Sequence, residues 1–344
     1  MQTNLRTWET LRFNHLQPLK RKGRKRLGKF IVFDIESNNW KDFVLGGIYD
    51  GTEFKTYRTV ESLRKGLESY ENVTVFAHFG GIFDFLFMLD DYGINRMLDS
   101  STDLVMRGSS IFMFKVGKLR FIDSSGILPF SLDKASKAFQ CDYQKINIDH
   151  DKHKTVTPRL IKYLEHDCKA LYECIEKYSQ APILDGANFK PTLASQSIEI
   201  LRKYIRRPIP SLNSKADDDY VRLSYAGGRT EIYRPLFDSD AHLFYYDFNS
   251  LYPSVMRDLA VPGRISKVHD RINEMSISEI EIEVPEDEYL PVLWKKQDHK
   301  FIFPTGRFRG VFCGPEIMEA VAQGAKILKV HQSLEFENLG PLLS

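Results

Sequence analysis

The run Phe30-Ile31-Val32-Phe33 passes without a break into Asp34-Ile35-Glu36, and no other stretch limits the fold as strongly. A short apolar run this dense reads as a strand buried on both faces, which requires further elements layered on either side of it. In a strand, residues i and i+2 point to one face. Asp34 and Glu36 therefore project together, while Phe33 and Ile35 face the core. Adjacent carboxylates repel and stay ionised only where something neutralises them, and a divalent metal is the usual answer. Taken alone, Asp-x-Glu is more often a polar strand end at the surface.

The pattern downstream supplies the layers. Phe43–Tyr49 and Phe54–Tyr57 read as strands with a turn at Gly51, Val60–Tyr70 has helical spacing, and Val73–Ala77 reads as another buried strand. Phe83–Leu89 begins a helix, Ile111–Val116 and Lys118–Ile122 form a hairpin around Gly117, and Ser131–Phe139 is helical. Thr157–Tyr178 is a long helix with Thr157 as N-cap and Pro158 in the first helical position. The pattern breaks near 180–190, at Ala181-Pro182 and Asp185-Gly186. A helix over Thr192–Ile205 and a Pro-, Ser-, Asn- and Asp-rich linker over 206–219 follow, and a second region starts near Tyr220.

The chain's 344 residues suffice for two domains, and its 42% hydrophobic content excludes a disordered protein. Lys+Arg 48 nearly cancels Asp+Glu 46, so the net charge of +2 says little about partners. The basic run Lys20-Arg21-Lys22-Gly23-Arg24-Lys25-Arg26 departs from that balance. It reads equally well as a solvated arm or as a non-specific phosphate contact. Cys141, Cys168, Cys174 and Cys313 show no paired spacing, which argues against a zinc site or a disulfide framework and for free thiols in a reducing compartment. No apolar run approaches the ~18 residues of a membrane span. The expectation is a soluble, cytoplasmic protein with no membrane partner, the cytoplasm of an infected host included.

Two further acids fall where chemistry is plausible. Asp84 follows Gly80-Gly81 at a helix start, where free backbone N–H groups and absent side chains let a substrate approach. Tyr163 and Asp167 are i and i+4 on the long helix and share a face. A tyrosine hydroxyl so placed can orient a water beside a metal held by the aspartate. Taken alone, Asp84 is more often an ordinary helix-start acid, and a tyrosine packed over an acidic neighbour is common.

Their order is more specific. Asp-x-Glu on a first strand, Asp after a second apolar strand, then Tyr-x-x-x-Asp on a long helix resembles the DEDDy 3′→5′ exonucleases across roughly residues 28–180. The element order is similarly that of an RNase H-like α/β domain. The resemblance implies hydrolysis with two Mg²⁺ or Mn²⁺ ions in the active site, held by Asp34, Glu36, Asp84 and Asp167, with Tyr163 positioning water. A DEDDh enzyme would carry histidine where this chain has Lys162. Tyr143-Gln144-Lys145 is similar to the segment that supplies a catalytic lysine, here Lys145. Asp123-Ser124 resembles a single-strand contact loop, with Ser125 where leucine is usual. That family places an asparagine after the position of His78, where it helps hold the 3′ end; this chain has Phe79.

Asp247-Phe248-Asn249-Ser250-Leu251-Tyr252-Pro253-Ser254 resembles motif A of family B DNA polymerases, read as a strand end turning into a helix. The resemblance implies that Asp247 and the Phe248 carbonyl hold catalytic metals. It implies that Ser250, Leu251 and Tyr252 hold the incoming dNTP, Tyr252 also excluding a 2′-hydroxyl. Tyr225-Ala226-Gly227-Gly228 matches the Tyr-x-Gly-Gly motif that lies upstream of motif A, which implies DNA contacts by Tyr225, Gly227, Gly228 and Arg229. The compact spacing is similar to the protein-primed branch found in phages and linear plasmids, as is Phe303-Pro304-Thr305-Gly306 with Glu316.

The expected organisation is a basic arm (1–29), an RNase H-like exonuclease domain (30–185), a linker helix and loop (186–219) and the first part of an α+β polymerase palm (220–344). Motif B, with its lysine, and motif C, Asp-Thr-Asp, are not found in these residues, and Glu281-Ile282-Glu283 reads as the exposed face of a strand. The expected partners are a single-stranded 3′ end, primer-template DNA, dNTP, a terminal-protein primer, and a C-terminal portion or partner chain that carries motifs B and C. Two alternatives stand beside this reading. One is a stand-alone exonuclease subunit of a split polymerase; the other is a catalytically impaired scaffold that grips single-stranded DNA.

Overall fold

The computed structural model describes residues 13–19, 27–92, 104–146, 155–212, 215–232, 242–298 and 300–341. The basic run over 20–26 lies outside them. Two compact units are present, one spanning Leu19–Lys203 and one built mainly from Tyr204 onward.

The first unit is organised by the strand that the apolar run predicts. β1 (Phe30–Asn38) pairs antiparallel with β2 (Asp42–Tyr49), which pairs with β3 (Phe54–Tyr57). Helix α1 (Val60–Glu68) then crosses to β4 (Thr74–Ala77), parallel to β1. After α2 (Asp84–Tyr92) come β5 (Leu104–Arg107), β6 (Ser110–Val116) and β7 (Leu119–Asp123), and the seven-stranded order is β3-β2-β1-β4-β7-β6-β5. Helices α3 (Leu132–Ala138), α4 (Pro158–Gln180) and α5 (Leu193–Tyr204) complete the unit. β5 is absent from the sequence expectation; its four residues gain strand character by pairing with β6.

β1 sorts its side chains by parity. Ile31, Phe33 and Ile35 enter a cluster with Leu63 and Leu67 of α1 and Phe85 and Met88 of α2. Val32 enters the opposite cluster, with Leu160, Leu164, Cys168 and Leu171 of α4. Burying side chains of this size contributes about 1.5–3 kcal/mol each. Asp34 and Glu36 share the parity of Val32, so the same alternation that fills the core aims both carboxylates toward the α4 face. α4 starts where the sequence predicts: the Thr157 hydroxyl accepts from the Leu160 N–H at 3.2 Å, a cap of about 1 kcal/mol.

The second unit packs a four-stranded antiparallel sheet, ordered Ala260–His269, Lys326–Pro341, Ser276–Val284, Gly306–Cys313, against the helix Gly314–Ala322. Ile280, Ile282 and Val284 are buried, while Glu279, Glu281 and Glu283 face outward to Arg309, His331 and Arg307. The exposed-face reading of Glu281-Ile282-Glu283 therefore holds. The stretch 206–219, expected as loop, instead contains a strand, Ile209–Leu212, and a helix, Lys215–Val221. The strand exists because Phe13–Leu16 supplies an antiparallel partner, information that no local window contains.

Candidate active site

One cleft of ≈ 340 Å³ in the first unit is lined by Asp34 and Glu36 from β1, by Phe79 and Asp84 from the β4–α2 connection, by Tyr163 and Asp167 from α4, and by Lys145. The structure thus brings together residues far apart in sequence. Asp84 opens α2 and accepts the Ile35 N–H through Oδ1 at 3.0 Å, which ties it to β1 between the two strand carboxylates. Lys145 Nζ stands 3.2 Å from Asp167 Oδ2 and 5.5 Å from the centre of the Tyr163 ring. Tyr163 and Asp167 are hydrogen-bonded to each other, as their i, i+4 spacing allows.

Burial raises these acids' affinity for protons, and mutual repulsion adds to it. The Asp34 carboxyl is pushed up to about 7 by burial and then by Asp167. Glu36 is pushed up to about 9 by burial and then by Asp34, Asp167 and Asp84. Asp84 lies well above the usual carboxylate range for the same first reason, with Asp34 next. Lys145 opposes the shift at Asp34 and Glu36 but does not cancel it. Four acids and one lysine in one cleft are short of positive charge.

As the side chains stand, no three His, Cys, Asp or Glu groups among the described residues surround one point as metal ligands do. The donor set nevertheless fits a hard divalent cation by its chemistry. All its groups are carboxylate oxygens, they are drawn from three elements, and each raised proton affinity marks a place where positive charge is wanted.

The raised values fix the sign of a stability effect. A carboxyl bound more tightly to its proton in the folded state than in the unfolded state costs stability as pH rises from its unfolded value toward its folded one. For Glu36 that window runs from 4.5 to about 9. Without divalent cations the protein is expected to melt progressively lower across this window. Glu36→Gln should raise the melting temperature at pH 8 by at least about 3 °C, the effect of roughly 1 kcal/mol in a domain of this size. Thermal melts in chelator at pH 5 and pH 8 check this, and a larger gain at pH 5 than at pH 8 would contradict it.

The glycine pair before Asp84 has a steric reason. A Cβ on Gly81 would stand 2.0 Å from the Ile111 carbonyl oxygen. The Gly81 N–H donates to Asp123 Oδ2 at 3.1 Å, and Asp123 Oδ1 accepts from the Ser125 N–H at 2.8 Å. Asp123 therefore holds the loop that delivers Asp84. Gly81→Ala is expected to destabilise the unit by about 1–3 kcal/mol, as overpacking against backbone does, measurable by denaturant titration; a neutral change would show that the loop can shift.

Ser124 is the innermost residue of its loop. It is fully buried, and its hydroxyl lies 2.9 Å from His78 Nδ1. His78 Nε2 donates to the Phe130 carbonyl at 2.9 Å, and burial holds the ring near a pKa of about 4, hence neutral. In that tautomer Nδ1 accepts the Ser124 proton. Ser124 thus orients the His78 ring at the cleft. Phe79 is partly exposed, at the cleft wall. Ser37, Trp40, His78, Ile82 and Phe83 line the same cleft and were not singled out in the sequence. Only their proximity to the recognised acids could have marked them.

In the second unit the expected strand before Asp247 does not form. Residues 242–248 lack ladder pairing, and Phe244, Tyr245, Tyr246 and Phe248 are exposed. β-forming residues make a strand only beside another edge, and none of the described strands pairs here. The turn into the helix Leu251–Asp258 is present, with Ser250 in the left-handed region and the Leu251 N–H donating to the Phe248 carbonyl at 3.2 Å. A Cβ on Gly228 would stand 2.5 Å from the Tyr252 hydroxyl, so the Tyr-x-Gly-Gly segment and Tyr252 are neighbours. Tyr225 is exposed and Gly227 borders open space. Arg229 is engaged within the protein: its guanidinium stacks 3.9 Å over Phe303, donates to the Pro291 carbonyl at 2.8 Å and pairs with Glu231.

Residues 152–343 match the family described as DNA polymerase type B, organellar and viral. A DNA-directed DNA polymerase of Enterobacteria phage PRD1 is 25% identical over 256 residues, which are 71% of this chain and 42% of that protein. A probable DNA polymerase of Neurospora intermedia is 26% identical over 333 residues, covering 75% of this chain and 34% of its own length. Phi29 DNA polymerase, solved with primer-template DNA and incoming nucleotide, shares the fold with a TM-score of 0.71 at 19% identity. That match covers 93% of this chain and 62% of the other. The chain thus spans less than half the length of these two sequence relatives.

Proposed function

The chain belongs to the organellar and viral type B DNA polymerases, and from that premise we propose that residues 30–185 form a 3′→5′ exonuclease that trims single-stranded DNA. Residues 220–344 are proposed as the first part of a polymerase palm of the protein-primed branch. The observation that carries the exonuclease reading is the single cleft that gathers Asp34, Glu36, Asp84, Tyr163 and Asp167.

The chain's own groups divide the work. Asp34, Glu36, Asp84 and Asp167 would hold two Mg²⁺ or Mn²⁺ ions. When bound, such ions supply the charge that favours attack of water on phosphorus and departure of the 3′ oxygen. Tyr163 keeps its proton at neutral pH, since burial and the neighbouring carboxylates push its hydroxyl far above the ordinary tyrosine value. It therefore donates or accepts hydrogen bonds as a neutral phenol and orients water rather than abstracting a proton. Lys145 lines the same cleft and offers positive charge to a phosphate there. In the second unit, Asp247, Phe248, Ser250, Leu251 and Tyr252 are proposed to meet dNTP and its metals. Tyr225, Gly227 and Gly228 are proposed to meet DNA. Among the described residues no helix is long and apolar enough to cross a membrane.

The test is degradation of a 5′-labelled single strand. Products should shorten one nucleotide at a time from the 3′ end, only with Mg²⁺ or Mn²⁺ present. Release of mononucleotides from the 5′ end, or activity unaffected by chelator, would refute the assignment.

A further inference from the structure

Trp40 occupies the tight turn between β1 and β2, where the Lys41 N–H donates to the Asn38 carbonyl at 3.1 Å. Both central residues are left-handed, Asn39 with φ 52° and Trp40 with φ 61°. Hairpin turns of this kind take Asn readily at the first central position and Gly at the second. A bulky side chain there is an outlier, and such outliers persist where something else is gained. The indole gains little from burial, since Trp40 is 74% exposed. It stands on Phe83, edge to face at 5.3 Å, and Phe83 stands in the same way on Phe87 at 5.2 Å. The ring is thus braced from the core outward, and it lines the same cleft as Asp34, Glu36 and Asp84.

We propose that Trp40 is a base-stacking residue that grips the single strand whose 3′ end enters the carboxylate cleft. The inference rests on the exonuclease reading. A nucleic-acid end offers two handles, phosphates and base faces. The acids repel phosphate unless metal ions intervene, and Lys145 is already paired with Asp167, so the base faces are the handle that neither charge sets. An exposed, braced indole supplies it without regard to sequence.

The experiment uses the full chain carrying Asp34→Ala and Glu36→Ala, so that DNA survives, and a labelled oligo-dT read by fluorescence anisotropy. Trp40→Ala should weaken binding about tenfold, in line with the loss of one base–aromatic stack. Trp40→Tyr should keep most of the affinity, and Trp40→Leu should not. An oligonucleotide abasic over its last three nucleotides should be bound equally by the proteins with and without Trp40. Trp40→Gly suits the left-handed turn, so it should melt no lower than its parent yet bind as weakly as Trp40→Ala. Wild-type affinity in Trp40→Gly, or a loss that persists on the abasic strand, would overturn the proposal. The two readings fail separately. Continued degradation by the Asp34→Ala/Glu36→Ala chain sinks the exonuclease assignment, whereas its loss together with normal binding by Trp40→Gly sinks only the role of Trp40.

Discussion

Asp34→Ala combined with Glu36→Ala is expected to lower 3′→5′ degradation of single-stranded DNA by at least about 10³-fold. Removing one preorganised electrostatic group commonly costs about 10²–10³ in rate, and here two carboxylates leave the same cleft. The fold should survive. The backbone of β1 is fixed by its ladders to β2 and β4 and by Phe33 and Ile35 on the far face, none of which involves these carboxylates. Both acids have proton affinities raised by burial, so their removal relieves an unfavourable term at neutral pH. The double variant should therefore melt no lower than wild type in chelator, and Mn²⁺, expected to raise the melting temperature of the wild type, should not raise that of the variant. Those two readouts separate a lost site from a damaged fold. Wild-type degradation by a well-folded double variant would mean that the acids are structural and that the cleft does other chemistry.

Much of this site is readable in the sequence because strand parity and helix spacing are local rules. The alternation in Phe33-Asp34-Ile35-Glu36 sends two residues to each face whatever lies around the strand, and Tyr163 and Asp167 share a helix face by spacing alone. What escapes local rules depends on partners. β5 and Ile209–Leu212 are strands because β6 and Phe13–Leu16 lie beside them. Residues 242–248 have strand composition and remain unpaired for the converse reason. The inward hydrogen bond of the Ser124 hydroxyl to His78 likewise follows from packing that no local window contains. Trp40 gave no sequence signal, because Asn39-Trp40 lacks the glycine that usually announces such a turn, and its meaning depends on Phe83 and the acids across the cleft.

The 344-residue chain by itself is expected to extend a primer negligibly, even with dNTP and Mg²⁺. Phosphoryl transfer between nucleotides uses cations clamped between carboxylates that arrive from separate strands, and a cation at the triphosphate. Asp247 is proposed as one such acid, but it lies in an unpaired segment, and among the described residues no group of three potential ligands forms around it. The nearest alternating acids, Glu279, Glu281 and Glu283, are occupied by Arg309, His331 and Arg307 on the outer face of their sheet. The exposed rings of Phe244, Tyr245, Tyr246 and Phe248 have the composition of a central strand, and the expectation is that a polypeptide carrying motifs B and C supplies an edge for them. Adding such a polypeptide should restore extension by several orders of magnitude, and Asp247→Ala should abolish what is restored. Primer extension on a labelled template, with and without that addition, reads both effects. Robust synthesis by the chain alone that disappears in Asp247→Ala would overturn this expectation and would require a second metal-binding acid within residues 258–337.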